Sequence, residues 1–551
     1  MNTPASFATL STDSCKQELA GFLLSLSIHH PDAKVYIMCD TKTKEYYDDM
    51  SFKPRLQLKW FTSLDKYTAF NRAQMEAMNI WSEFQMSKSH ILDEAMKIET
   101  DCLFLDSDII ITHTINDIDK SKALGVSPGF IQQEIADKYG FYNGGMLWIS
   151  DKNIPNKWRQ YTKTSRYYDQ ASIEDLHREY SQTNNVFDFG EEYNVQSWRF
   201  IIGKESGNQL MSYIRADPQK GMLWYKNKPL KFLHTHFNHP QFAQLNNYFI
   251  KLLTDAKMYR ELLSIFRCIN NKWVIRIPKQ PMQGMGRHAN DSFREIPVLL
   301  KLKNKDIDIK YDSESIHCKL EPNIILYDRP TLEWVNDEMH GSSLLLLGNG
   351  NIHMEGLQLK NHFQNINIKP WTFWPRKPML VEKLLKQNKR LEYAERKCNT
   401  VFIGNYENSI QDKYRNKTLD WKSVIDEYHC TAGQNHLFTH EEYLMKLRQS
   451  RYGLCLRGYG SKCHREVELM AFGTVPIVTP EVSIKSYMNP PIENTHYIVA
   501  KTPDELKEKI QTIAPEQWEA MSKACYEWYQ KNVGSDNMWV TMMEHIFYVN
   551  K

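Results

Sequence analysis

Two aspartates stand one residue apart in LDSDI at 105–109, Asp106 and Asp108, directly after an apolar run. That spacing lets two carboxylates share one hard divalent cation with the oxygens of a diphosphate. A cation so held neutralises the charge that grows on a leaving nucleoside diphosphate. Alone, such a pair reads equally well as two solvated turn residues, so its meaning depends on its company. FYNGGMLWI at 141–149 joins Asn143, Gly144 and Gly145 to an apolar strand, where backbone without side chains can pass close to a bound sugar. LKFLHTHF at 230–237 ends an apolar run in His234 and His236, either of which can supply a third metal ligand. GEEYNVQSW at 190–198 adds Glu191 and Glu192, either a carboxylate that takes a proton from an acceptor hydroxyl or a helix cap.

A second set lies in the C-terminal half. LCLRGYGSKCHREVELMAFGTVPIV at 454–478 runs an apolar strand into Arg457, Gly458 and Gly460, then opens a helix near Ser461. Free N–H groups at a helix start attract anions. Arg457, Lys462 and Arg465 place three cations near that start, and a guanidinium can hold phosphate through two bonds. Glu468, one helical turn beyond Arg465, is placed to accept ribose hydroxyls, although Arg465 and Glu468 can also form only an i,i+3 surface pair.

The elements that must position these groups follow an α/β rhythm. Short apolar runs at 5–10, 34–39, 101–105, 147–149 and 230–234 alternate with helical patterns at 15–28 and 78–98. Ser14 with Gln17 three residues on reads as a capping box for the first helix. This alternation predicts a mostly parallel sheet covered by helices. Residues 270–295 break it with clustered Gly and Pro, which places a domain junction there. Strand patterns resume at 322–327, 343–347, 401–404, 452–456 and 475–479, with a helix capped by Thr439 and Glu442. The expected division is 1–265, a junction at 266–295, and 296–551.

The length of 551 residues calls for more than one core. A formal charge of +3 gives no reason to expect a nucleic-acid partner. No apolar run approaches the ~18–20 residues of a membrane span, and the first residues lack the basic start of a signal peptide. The ten cysteines are scattered without a CxxC pair, as in a reduced protein, so the expected location is the cytoplasm. The 12% aromatic content suits sugar-stacking clefts and ordinary cores alike.

Over roughly residues 1–260 the order of motifs resembles the GT-A glycosyltransferase superfamily, including the glycogenin-like and related nucleotide-diphospho-sugar transferases. The resemblance implies a Rossmann-like mixed sheet with helices, Mn²⁺ or Mg²⁺, and a nucleotide-sugar donor, expected to be a uridine diphosphate sugar. It puts Thr9, Leu10, Ser11 and Thr12 at the nucleoside, Asp40 near base or ribose, and Lys88 and Ser107 beside the phosphates or donor sugar. Glu191 or Glu192 becomes the base of an inverting reaction or a donor-holding group of a retaining one.

Over 400–480 the motif R-G-x-G…R-x-x-E-x-x-A-x-G-x-V-P resembles the donor half of GT-B glycosyltransferases of the exostosin-like group. That implies two Rossmann-like halves and a donor diphosphate on the 458–462 turn without metal; His340, His353 and Asp291 are candidates for its base. The expectation is thus two fused transferases acting on a glycan or glycoconjugate acceptor. The alternative is one GT-A enzyme with a non-catalytic acceptor-binding module. A nucleotide-sugar pyrophosphorylase needs a glycine-rich basic loop after the first strand, which ATLSTDS at 8–14 does not provide. A lectin accounts for the aromatics but not for the aspartates.

Overall fold

The computed structural model describes residues 2–279, 287–313, 318–327, 344–348, 367–372, 374–433, 435–458 and 460–549. It divides into two compact units, Met1–Trp273 and Val274–Lys551.

In the first unit, β1 (Phe7–Ser11) is buried along its whole length and is followed by α1 (Lys16–His29), β2 (Lys34–Cys39), α2 (Thr41–Asp48) and β3 (Gln57–Thr62). Then come α3 (Ser87–Met96), β4 (Cys102–Leu105), β5 (Ile109–Ile111), β6 (Leu124–Pro128), β7 (Tyr142–Ile149), α4 (Tyr168–Ser181), β8 (Val186–Asp188), β9 (Val195–Gln196) and β10 (Phe232–His234). The seven-stranded sheet has the order β3-β2-β1-β4-β7-β6-β8. Its β3-β2-β1-β4 half is parallel, and β7 runs antiparallel to both β4 and β6. A sheet of β5, β10 and β9 stands beside it.

The apolar faces explain this arrangement. Ala8, Leu10, Tyr36, Met38, Phe104 and Leu147 meet in one core with the inner faces of α3 and α4. The run of β4 is apolar at every position because both of its faces are covered. The first helix begins at Lys16 after a short 3₁₀ turn, Asp13–Cys15. The expected Ser14–Gln17 capping box does not form, because the Ser14 hydroxyl pairs with that of Thr12 at 3.0 Å.

The second unit contains two sheets. The first comprises β11 (Trp273–Pro278), β12 (Ile307–Asp312), β13 (Cys318–Leu320), β14 (Ile324–Tyr327), β15 (Leu344–Leu347) and β16 (Asn367–Pro370), in the order β12-β11-β13-β14-β15-β16. It is mixed, antiparallel across β11, β13 and β14 and parallel across β14, β15 and β16. The residues read as a junction therefore include a strand of this sheet.

The second sheet comprises β17 (Cys398–Tyr406), β18 (Glu427–Ala432), β19 (Ser450–Cys455), β20 (Val475–Val478) and β21 (Ile498–Val499), in the order β18-β17-β19-β20-β21. All its pairs are parallel. Helices α5 (His440–Gln449) and α6 (His464–Ala471) lie between its strands in sequence, and α5 carries the expected Thr439–Glu442 capping box. Of the two expected Rossmann-like halves, only this one is an all-parallel sheet.

Candidate active site

The DSD segment lies where two sheets of the first unit exchange a chain, the seven-stranded sheet and that of β5, β10 and β9. Strand β4 delivers Asp106, whose N–H bonds to Gly145 O at 2.9 Å, and β5 starts at Ile109. Because β10 pairs antiparallel with β5, with His234 opposite Ile109, the histidine arrives beside the aspartates from 126 residues further along the chain. One oxygen each of Asp106 and Asp108 and one nitrogen of His234 lie within 4.8 Å of one another. His234 Nε2 is 3.1 Å from Asp108 Oδ1 and 3.9 Å from Asp106 Oδ2. His236 holds the other oxygen of Asp108, Nδ1 to Oδ2 at 2.7 Å, and so supports the cluster from outside it.

Electrostatics separate the two carboxylates. Burial pushes both upward, but His234 and His236 outweigh it at Asp108 and hold that carboxyl below its ordinary range. At Asp106 burial prevails over the attraction of Lys88, and the adjacent Asp108 charge adds to it, so the carboxyl is raised. Lys88 is 5% exposed; its ammonium donates to Gly144 O at 2.9 Å and contacts Asp169 Oδ2 at 3.1 Å and Asp106 Oδ1 at 3.3 Å. Burial disfavours its charge, but the two carboxylates more than compensate and raise it.

The donor set fits a divalent cation. Asp108 Oδ1 is buried 3.1 Å from His234 Nε2, an ion-pair contact without hydrogen-bond geometry, and has no hydrogen bond among the described residues. A Cβ on Gly145 would fall 2.5 Å from Asp106 Oδ2 and 2.6 Å from His234 Cε1, so a side chain there would close the cradle. At Gly144 a Cβ would meet Asp169 Oδ2 at 2.7 Å. Asn143 joins these pieces, its Oδ1 accepting from Gly145 N at 2.8 Å and its Nδ2 lying 3.3 Å from His234 Nδ1. Two carboxylate oxygens and an imidazole nitrogen are a donor set that a divalent cation can take.

Other expected residues have different occupations. Asp40 is fully buried and caps α2, accepting from Thr43 N, Asp13 N and the Thr68 hydroxyl at 2.8, 2.8 and 2.9 Å. Burial raises its carboxyl, these bonds outweigh that, and the net direction is down. Asp40 therefore shapes the loop after β1 and has no oxygen left for a base or ribose. The side chain of Leu10 belongs to the core. Thr9, Ser11 and Thr12 are buried at the end of β1, with the Thr9 hydroxyl unpartnered among the described residues. Ser107 is 7% exposed between the two aspartates.

Glu191 is bound to Arg199 at 2.7 Å, to Lys226 at 3.0 Å and to the Tyr225 hydroxyl. Burial raises it, but these bonds bring it down to about 2, which makes it a poor base. Glu192 is 5% exposed and bound to Lys228 at 2.8 Å. Three neighbours escape a reading of the sequence. Asp169 reaches Lys88 from α4, Gln196 pairs with His234 across the β9–β10 ladder, and the indole of Trp198 is 40% exposed against Phe242, which also packs on His236. None of the three carries a spacing signal, because each is placed by a separate element.

In the second unit the Gly-rich turn departs further from expectation. Lys462 is 2% exposed and donates to Gly348 O at 2.7 Å and Ser486 O at 2.6 Å, so its charge fastens loops and does not face a ligand. Glu468 is fully buried and accepts from the Tyr443 hydroxyl at 2.7 Å and Arg376 N at 2.9 Å, which commits both oxygens. Gly458 is required for packing, since a Cβ would lie 2.6 Å from Cys463 Sγ. Gly460 lies just before α6, half-buried. Arg457 has a buried Nε without a partner among the described residues, and Arg465 has two such atoms, Nε and Nη1. His340, His353 and the side chain of Asp291 lie outside the described residues.

No protein-family model matches the chain, and no curated protein matches it in sequence. Solved structures that it matches include three glycosyltransferases. The galactosyltransferase LgtC, in complex with donor and acceptor sugar analogs, shares 16% identity over 45% of this chain and 95% of its own, with a TM-score of 0.31. The glycosyltransferase GlyE of Streptococcus pneumoniae shares 11% over 94% of this chain and 100% of its own, with a TM-score of 0.31. Mouse xyloside xylosyltransferase 1 shares 11% over 43% and 98%, with a TM-score of 0.29. At these values the chemistry rests on this chain's own residues. Among the described residues no helix is long and apolar enough to cross a membrane.

Proposed function

We propose that the chain is a glycosyltransferase, whose first unit is a GT-A-type domain that moves a sugar from a nucleoside diphosphate donor to a glycan or glycoconjugate acceptor. The observation that carries this reading is the Asp106–Asp108–His234 cluster, fitted against Gly145 without room for a Cβ. Bound there, Mn²⁺ or Mg²⁺ supplies Lewis-acid neutralisation of the departing diphosphate. Lys88 fixes Asp106 and Gly144 relative to one another, so the metal carboxylate and the sugar-side backbone keep one geometry. Asn143 and His236 orient His234 and Asp108 respectively. The loop after β1, held by Asp40, presents the buried Thr9, Ser11 and Thr12 region to the nucleoside, for which uridine is the expected base. With Glu191 and Glu192 held in ion pairs, their role here is to brace the segment before β9.

The unpaired guanidinium atoms of Arg465 favour a second reading for the other unit, a metal-independent transferase of GT-B type. Joined to the first, it would meet the first product at raised local concentration. The alternative, an acceptor-binding module, has no need of such a group. In the deciding experiment the full chain is given Mn²⁺ or chelator and a panel of nucleotide sugars. Asp108→Asn and chelator should each abolish donor hydrolysis and transfer by the first unit, with circular dichroism unchanged. Full activity in either condition overturns the assignment.

A further inference from the structure

The all-parallel sheet of the second unit reverses its strand order at β17, which has β18 on one side and β19 on the other. In open α/β sheets, ligands settle outside the carboxyl ends of strands at such a reversal. A cavity lies there, lined by Ile403, Gly404 and Asn405 from the end of β17, His429 and Thr431 from β18, and His440 from the start of α5. Arg376, Lys377 and Tyr443 close its sides.

Behind Gly404 lies Arg465, 4% exposed. One guanidinium nitrogen donates to Ile403 O at 2.5 Å, while Nε and Nη1 have no partner among the described residues. A Cβ on Gly404, which lines the cavity, would sit 2.8 Å from Arg465 Nη2, so the guanidinium lies directly behind this wall. The Phe402 ring, 4.5 Å from its Cζ, and the buried Glu466 carboxylate favour its charge, but neither forms a hydrogen bond to Nε or Nη1 among the described residues. Arg415, 5% exposed, donates only to carbonyls and a thiol, and Glu468 is committed to Tyr443 and Arg376 N. A buried cation with unpaired donors is costly unless an anion completes it.

We propose that this cavity binds a phosphate-bearing ligand without metal, gripped by Arg465 from within and by Arg376 and Lys377 at its mouth. The proposal deepens the second-unit reading and rests on it for the ligand's use. It moves the phosphates from the 458–462 turn, where Lys462 is already spent, to the end of β17. A nucleoside diphosphate and a sugar phosphate present the same chemistry to these groups.

The test is calorimetry on the full chain carrying Asp108→Asn, in EDTA, with inorganic pyrophosphate, uridine diphosphate and glucose 1-phosphate as separate probes. Pyrophosphate should bind, and Lys377→Glu, an exposed change that spares folding, should weaken it about ten- to hundredfold. Arg465→Met should weaken it at least as much, with thermal melting as the control for its fold. Arg376→Gln, at a half-buried position, serves as a second variant, with thermal melting as its control. Tighter binding of uridine diphosphate than of glucose 1-phosphate identifies a nucleotide site, and the reverse identifies a sugar phosphate site. Failure of all three probes to bind, or affinities indifferent to Lys377→Glu and Arg376→Gln, overturns the proposal. Binding lost in Lys377→Glu with no chelator-resistant transfer keeps the site and removes the second transferase. Chelator-resistant transfer indifferent to Lys377→Glu does the opposite.

Discussion

The two units bring opposite charges to the carboxyl ends of their parallel strands. In the first, Asp106, Asp108 and Asp169 face one ammonium and two imidazoles, and Asp108 retains a buried oxygen without a hydrogen bond. In the second, Arg465 and Arg415 are buried against carbonyls, with the buried Glu466 as their carboxylate neighbour and Glu468 bound to Tyr443 and Arg376 N. A carboxylate surplus calls for a cation, and a guanidinium surplus calls for an anion. On the proposed reading each device would hold a diphosphate, one through a metal and one directly, by two routes to the same leaving group.

The largest test of this contrast is Asp108→Asn. It should lower chelator-sensitive transfer by about a hundredfold or more, while anion binding by the second unit in EDTA stays unchanged. Parallel loss of both, measured by calorimetry and turnover on one preparation, would dissolve the distinction between the units.

Lys88→Met should come next. It leaves Asp106 and Asp169 without their shared cation, a loss of about 3–5 kcal/mol in the metal-free protein. Urea melts with and without Mn²⁺ should show the metal recovering part of that loss, because it replaces the missing charge at Asp106. A deficit that Mn²⁺ leaves untouched would mean that the cluster does not hold the metal.

Glu468→Ala sharpens the comparison from the other side. Since the carboxylate serves Tyr443 and Arg376 N, the change should cost about 1–3 kcal/mol of stability. Nucleoside and pyrophosphate affinities of the folded variant should fall together. A selective loss of nucleoside binding would restore Glu468 as a ribose ligand.

The smallest effect concerns Glu191, whose carboxyl is depressed from 4.5 to about 2 by Tyr225, Arg199 and Lys226 against the opposing effect of burial. A depressed carboxyl stabilises the fold above pH 4.5, and that contribution fades as pH falls through about 2. Glu191→Gln should cost about 1–2 kcal/mol at neutral pH and flatten the acid side of the melting profile. A variant that keeps its fold but loses transfer entirely would make Glu191 a reacting group.

Local sequence determined the strands, because strands buried on both faces must be apolar throughout, as CLFL is. It also determined the DSD turn, the Asn-Gly-Gly segment and the Thr439–Glu442 cap, which depend on neighbours two to four residues away. Assigning partners over long distances needed the tertiary structure. Two histidines one residue apart look alike in sequence, yet the β5–β10 register turns His234 into the cluster and leaves His236 on the far oxygen of Asp108. Asp169 has no motif and reaches Lys88 only because α4 packs there. In the second unit, charge and spacing made Arg457, Lys462 and Arg465 look alike as phosphate ligands and Glu468 like a ribose ligand. The fold spends Lys462 on two carbonyls and Glu468 on a hydroxyl and an N–H, and leaves two nitrogens of Arg465 without hydrogen bonds among the described residues, behind a glycine. Residue type sets which bonds a side chain can make, and only packing decides which of them are already made.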